Sequence, residues 1–213
     1  MTQLAPVLFF AIIVLICIIG YLIICKRKQM AGEAETKTAE TFSDAVARLL
    51  DLPEGSDIYK AIAEEVHKIC GNSFVVVNSF ERMYDQFTIK AISGVNSLLK
   101  KGFEMLGVDY LNASFKLDDN AKMILTSGQI KEVEGGLYRI TFGKVPKEIC
   151  EEVEQFFKMK KMYAMGFARK GELFGNVIII PIFGNEFNNR KTVEAAINLA
   201  SSALFKRIGK RDG

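Results

Sequence analysis

Apolar residues recur along this chain in three spacings: one unbroken run, several helical stripes and several alternating stretches. The unbroken run, LAPVLFFAIIVLICIIGYLIIC, covers Leu4 to Cys25 without a charge. As a helix it would be roughly 33 Å long, enough to cross a hydrocarbon core of about 30 Å. Pro6 falls in its first turn, where a missing N–H costs nothing. Farther on, Phe42, Ala45, Val46, Leu49 and Leu50 predict a short amphipathic helix over 41–52, ended by Pro53-Glu54-Gly55. A second stripe, Ile58, Ile62, Val66 and Ile69, predicts a helix over Asp57–Cys70, with Ser56 or Asp57 as its cap and Gly71-Asn72 as its stop. SFVVVNSF (73–80) reads as a buried strand, and Phe87, Ile89 and Ala91 alternate with polar neighbours as its hairpin partner.

The remainder follows the same rules. Val95, Leu98, Leu99, Phe103 and Leu106 predict a helix closed by Gly107. A strand is expected over 113–117, a short helix capped by Asp118 through Thr126, and an extended stretch over 129–133. Pro146 opens a helix through about Lys158, with acids Glu148, Glu151 and Glu152 near its start and Lys158, Lys160 and Lys161 at its end, as the helix dipole prefers. Residues 162–169 and 173–183 flank Lys170-Gly171-Glu172 as a second hairpin, and 189–208 predicts a long final helix with Val193, Ile197, Ala200, Leu204 and Ile208 on one face. Hairpins at both ends argue for an α+β fold with a largely antiparallel sheet, whose first and last helices cover the same apolar face.

Charge orients the apolar run. Lys26, Arg27 and Lys28 follow it at once, whereas Met1-Thr2-Gln3 carries no side-chain cation, so the positive-inside rule places the C-terminal body in the cytoplasm and the N-terminus outside. A signal peptide would show cations before a shorter core and a small-residue cleavage site after it. The expected organisation is a single-pass transmembrane helix and basic stop over 1–28, a linker with a short helix over 29–55, and one domain over 56–209. With 28 basic and 25 acidic residues, the chain lacks the excess of a nucleic-acid binder. Four cysteines without a CxxC pair, and one histidine, exclude an ordinary structural zinc site.

GNSFVVVNSF, GGLYRITFGKVPKEIC and the closing YAMGFARKGELFGNVIIIPIF, taken in this order, resemble a GAF domain of the archaeal type that serves as the input domain of sensor histidine kinases. The resemblance covers about Asp57 to Arg207. It implies a sensory module that binds a small ligand or a protein partner, signals through a sensor kinase or regulator, and dimerises through its first and last domain helices. No phosphoacceptor helix or ATP-binding boxes accompany it, so no catalytic output is expected. A methionine sulfoxide reductase-like activity would need clustered reactive cysteines, which Cys70 and Cys150 do not form in sequence.

Gly136 and Gly143-Lys144 lack P-loop spacing and are followed by Val145, and Gly166, Gly171 and Gly175 suit turns and close packing. In a strand over 163–168, Tyr163, Met165 and Phe167 point one way and Ala164, Gly166 and Ala168 the other. The small face is expected to receive the last helix through Ala195, Ala196, Ala200 and Ala203. The bulky face is expected to meet Tyr138, Phe142, Cys150 and Val153 in the layer where GAF ligands generally lie. These seven residues, Tyr138 to Phe167, form the expected pocket. Two alternatives stay open. One is a haem or redox sensor using Cys150, which lies near a helix start that can lower a thiol's pKa, or Cys70 one turn from His67; some relatives of the kinase-associated type are implicated in thiolate-linked haem sensing. The other is a scaffold with a closed core.

Overall fold

The computed structural model describes residues 42–94, 114–117, 119–184 and 189–209. The chain divides into residues 1–40 and 41–213, and all described residues lie in the second unit. The apolar run over 4–25, the linker over 29–40 and the helix expected over 95–106 therefore lie outside the described residues. Among those described, no helix is long and apolar enough to cross a membrane.

The elements follow the predicted order closely. Helix α1 covers 42–50. Helix α2 (Ile58–Cys70) starts at Asp57, whose carboxylate accepts the amides of Tyr59 and Lys60, and stops at Gly71, which takes a positive φ. Strands β1 (Ser73–Glu81) and β2 (Gln86–Ser93) form the first hairpin, followed by β3 (Ser114–Lys116), α3 (Asp119–Leu125) and β4 (Lys131–Glu132). Next come α4 (Gly136–Ile140), α5 (Lys147–Phe156), β5 (Tyr163–Arg169), β6 (Glu172–Pro181) and α6 (Arg190–Gly209). Among the described residues all strand pairs are antiparallel, in one six-stranded sheet of order β3-β2-β1-β6-β5-β4.

Helices α1, α2 and α6 cover one face of this sheet. There Ile62, Val66, Val193, Ile197 and Ala200 pack on Val75, Val77, Val177 and Ile179, all fully buried. Truncating such a side chain costs about 2–5 kcal/mol. The short elements α3, β4, α4 and α5 cover the other face, where Phe74, Phe87, Leu125, Cys150, Phe157 and Ile178 are buried.

Two irregularities re-aim the strands. On β2, Val77 pairs with Ala91 and Asn78 with Ile89, so Lys90 is an extra residue. Phe87 and Ile89 therefore face the short elements while Ala91 joins the helical side, which corrects the expectation of one continuous alternation. On β6, Phe174 is the extra residue opposite the step from Phe167 to Ala168; it points into the helical layer, whereas its neighbour Leu173 packs on the other.

Candidate functional site

Between the sheet and its short-element face lies a cavity of about 580 Å³. Its walls are mainly apolar and aromatic: Phe74, Phe87, Ile178 and Ile180 from the sheet, Leu125 from α3, Leu137 and Ile140 from α4, and Val153 from α5. This size and lining suit a small organic ligand.

The floor of the cavity is one row of residues across the sheet. The pairing register sets Ile89, Asn78, Asn176 and Gly166 side by side on β2, β1, β6 and β5. Gly166 is there because a Cβ would sit 2.3 Å from the carbonyl oxygen of Leu125, so the end of α3 lies directly on the β5 backbone. Next to it the two asparagines bond to each other, Asn78 Nδ2 donating to Asn176 Oδ1 at 2.6 Å. They are 4% and 5% exposed, yet Asn78 Oδ1 has no partner. Leaving such an oxygen buried and unpaired costs about 1–3 kcal/mol. The other unpaired buried side-chain oxygen among the described residues, Ser79 Oγ, belongs to the next residue along β1, on the opposite face.

The mouth is polar. Lys131, Glu132, Glu134, Arg139 and Lys144 line the cavity but are exposed or half-buried. Phe142 holds a positive φ of 52° and stacks on Phe115 with centroids 5.4 Å apart. Lys144 bonds the Ser114 carbonyl and sits over the Phe115 ring at 4.8 Å. Glu132 is paired with Lys161 at 3.0 Å.

The wall next to β4 is tied to the last helix. Glu194 of α6 accepts the amide of Ile130 at 3.0 Å, and Arg190 donates to the Ile130 carbonyl. The cavity lining resumes at Lys131, one residue on.

Of the seven residues expected in a pocket, the structure brings together Phe142, Cys150 and Val153. Tyr138 stands at the surface, 43% exposed, and does not line the cavity. Tyr163, Met165 and Phe167 point the other way, into the layer of α2 and α6. The expected assignment of the β5 faces is thus reversed. The bulky residues pack under the long helices, and the small face receives the α3 terminus through Gly166 and opens at Ala164 into the cavity. Of the alanines expected on that small face, Ala196 and Ala200 are buried against the bulky side instead.

The haem and redox candidates are likewise divided by the sheet. Cys70 packs on the helical layer, where burial pushes its thiol up to about 12. His67 is half-buried, and its Nδ1 donates to the Ser73 carbonyl at 2.9 Å. Cys150 lies on the cavity side, where burial raises its thiol pKa, a hydrogen bond with Thr141 opposes that, and Glu154, Glu148 and Glu151 raise it further. Its Sγ donates to the Val145 carbonyl at 3.9 Å. This environment favours the protonated thiol over the thiolate.

Short helix α4 had no sequence forecast. Gly135 and Gly136 both take positive φ, a Cβ on Gly136 would meet the Glu154 carboxylate at 2.2 Å, and that carboxylate accepts the Leu137 amide. The site earlier weighed for phosphate is thus occupied by an anion of the protein itself. Asn78 and Asn176 were also missed. The signal available was a lone amide in each of two otherwise apolar strand runs, FVVVNSF and FGNVIIIP.

No family model and no curated protein matches the chain. Solved structures do. The chromophore-binding domain of an unusual bacteriophytochrome from R. palustris superposes with a TM-score of 0.56 at 15% identity, over 83% of this chain and 63% of that one. The GAF domain from Acinetobacter phosphoenolpyruvate-protein phosphotransferase gives 0.55 at 9% identity, over 80% and 94%. The photosensory core module of Stigmatella aurantiaca phytochrome gives 0.56 at 15% identity, over 83% and 38%. The chain thus spans less than two thirds of either phytochrome structure. The fold is GAF-like α+β.

Proposed function

We propose that this chain is a sensory module that binds a small molecule in the cavity beneath its sheet and reports occupancy through its last helix. The observation that carries this reading is the cavity itself: about 580 Å³, apolar-walled, with a buried, unpaired amide oxygen on its floor. A scaffold that had filled its core would leave no such space. The likeness in fold to a chromophore-binding domain and to a GAF domain supports a binding role for this layer. The bonds from Arg190 and Glu194 to Ile130 supply the route, because displacing the cavity wall at 131–134 pulls on the first turns of α6. A ligand that favours one position of that wall shifts the population of the helix layer.

In this reading the chain does no chemistry of its own. The charge-free run at 4–25 and the basic Lys26-Arg27-Lys28 tether it to the cytoplasmic side of a membrane, and a regulator or second copy reads the helical layer. The test is native mass spectrometry of the full chain, purified from its own host in lipid nanodiscs. A small-molecule adduct is expected on the wild type. It should disappear in Ala164→Leu, whose added side chain enters the cavity. Unadorned protein from every preparation would refute the reading.

A further inference from the structure

We infer that the cavity takes an uncharged, largely aromatic or aliphatic molecule that carries one hydroxyl or N–H donor, and that this donor is received by the Asn78–Asn176 pair. The inference rests on the small-ligand reading above and specifies its chemistry. Asn78 lies mid-strand in β1, faces Asn176 across the β1–β6 register, and is 96% removed from solvent by its 4% exposure. Its Nδ2 is used by Asn176, while its Oδ1 is buried and has no partner, and Asn78 and Asn176 both belong to the cavity lining. The amide bonds its neighbour through nitrogen, but in a sheet whose other floor residues are Ile89, Val76, Ile178 and a glycine its oxygen finds no partner. A ligand donor would satisfy it.

The walls argue for neutrality. All five charged residues of the lining sit at the mouth, exposed or half-buried, and none reaches the buried class. A phosphate or carboxylate pushed to the floor would lose water without meeting a cation, which is prohibitively costly. Phe74, Phe87 and Phe157 offer aromatic surface instead.

The experiment uses three probes of one skeleton: 1-naphthol (neutral donor), 1-methoxynaphthalene (neutral, no donor) and 1-naphthoate (anion). Each is titrated against the full chain in lipid nanodiscs, with empty nanodiscs as blank; the protein has no tryptophan, so naphthalene fluorescence is read directly. Wild type should bind 1-naphthol roughly tenfold more tightly than 1-methoxynaphthalene, the worth of one buried hydrogen bond. It should bind 1-naphthoate more weakly than either. The double variant Asn78→Leu/Asn176→Leu removes both amides, leaves no orphan, and is expected to keep its circular dichroism spectrum. It should bind both neutral probes equally. Equal affinities in the wild type would overturn the amide anchor while leaving the binding cavity intact. Tightest binding of 1-naphthoate would overturn the neutral class. Failure of all three to bind would remove the small-ligand reading along with it.

Discussion

Single residues show how much of this cavity is set by local sterics and desolvation. Cys150 sits one turn into α5, where a helix dipole would activate a thiol, but burial and three carboxylates hold the proton on. An alkylating reagent at pH 8 should therefore modify Cys150 at least tenfold more slowly than a free cysteine peptide, since only the thiolate attacks. Site-resolved mass spectrometry checks this on the intact chain. A rate equal to that of the peptide would show an ionised or open thiol and would revive the redox reading. Cys150 was legible in the sequence because its neighbours are. Asn78 and Asn176 were not, because their meaning lies in a pairing between residues 98 positions apart. Phe174 and Lys90 were invisible for the same reason. A bulge is a property of two strands in register, and neither strand announces it alone.

At the scale of elements, period and capping made most of the fold readable. The stripe Ile58, Ile62, Val66, Ile69 and the carboxylate of Asp57 were enough to place α2 to within a residue. Helix α4 was lost because its five residues, which begin with the second of two glycines, carry no periodic signal. The faces of β5 were reversed because a small-residue face fits any close neighbour. The neighbour here is the α3 terminus, not the long α6. How α1 docks was also beyond pattern. Arg48 of α1 grips Glu65 of α2 with two bonds of 2.9 and 2.8 Å, and Lys68 adds one of 2.7 Å. Arg207 of α6 bonds the carbonyls of Leu52, Pro53 and Ser56 between α1 and α2. Burial pushes the Glu65 carboxyl up, but the bonds and charges of Arg48 and Lys68 outweigh it and hold it below the ordinary range. A carboxyl so depressed contributes stability that is complete above its unfolded value of about 4.3 and is lost as pH falls through its folded one. Arg48→Ala should cost about 1–2 kcal/mol at neutral pH, a figure reduced because Arg48 is half-exposed. It should also flatten the fall of unfolding free energy between pH 5 and the acid limit. An acid titration of stability identical in the two proteins would contradict this docking.

At the largest scale, the described residues form a sheet with two unlike coverings. Three helices make a tight layer on one side, and short elements on the other leave space around a buried amide pair. Under the proposed function, that asymmetry provides a yielding side to admit a ligand and a cohesive side to present the result. The two sides meet at Ile130, whose backbone is held by α6 and whose successors line the cavity. The measurement that bears most directly on this is amide hydrogen exchange of the full chain in nanodiscs, with and without saturating 1-naphthol. Slower exchange is expected together in residues 131–142 and in the opening turns of α6, with α1 unchanged. Protection confined to the cavity wall, or absent from both segments, would contradict a sensing cavity coupled to the last helix.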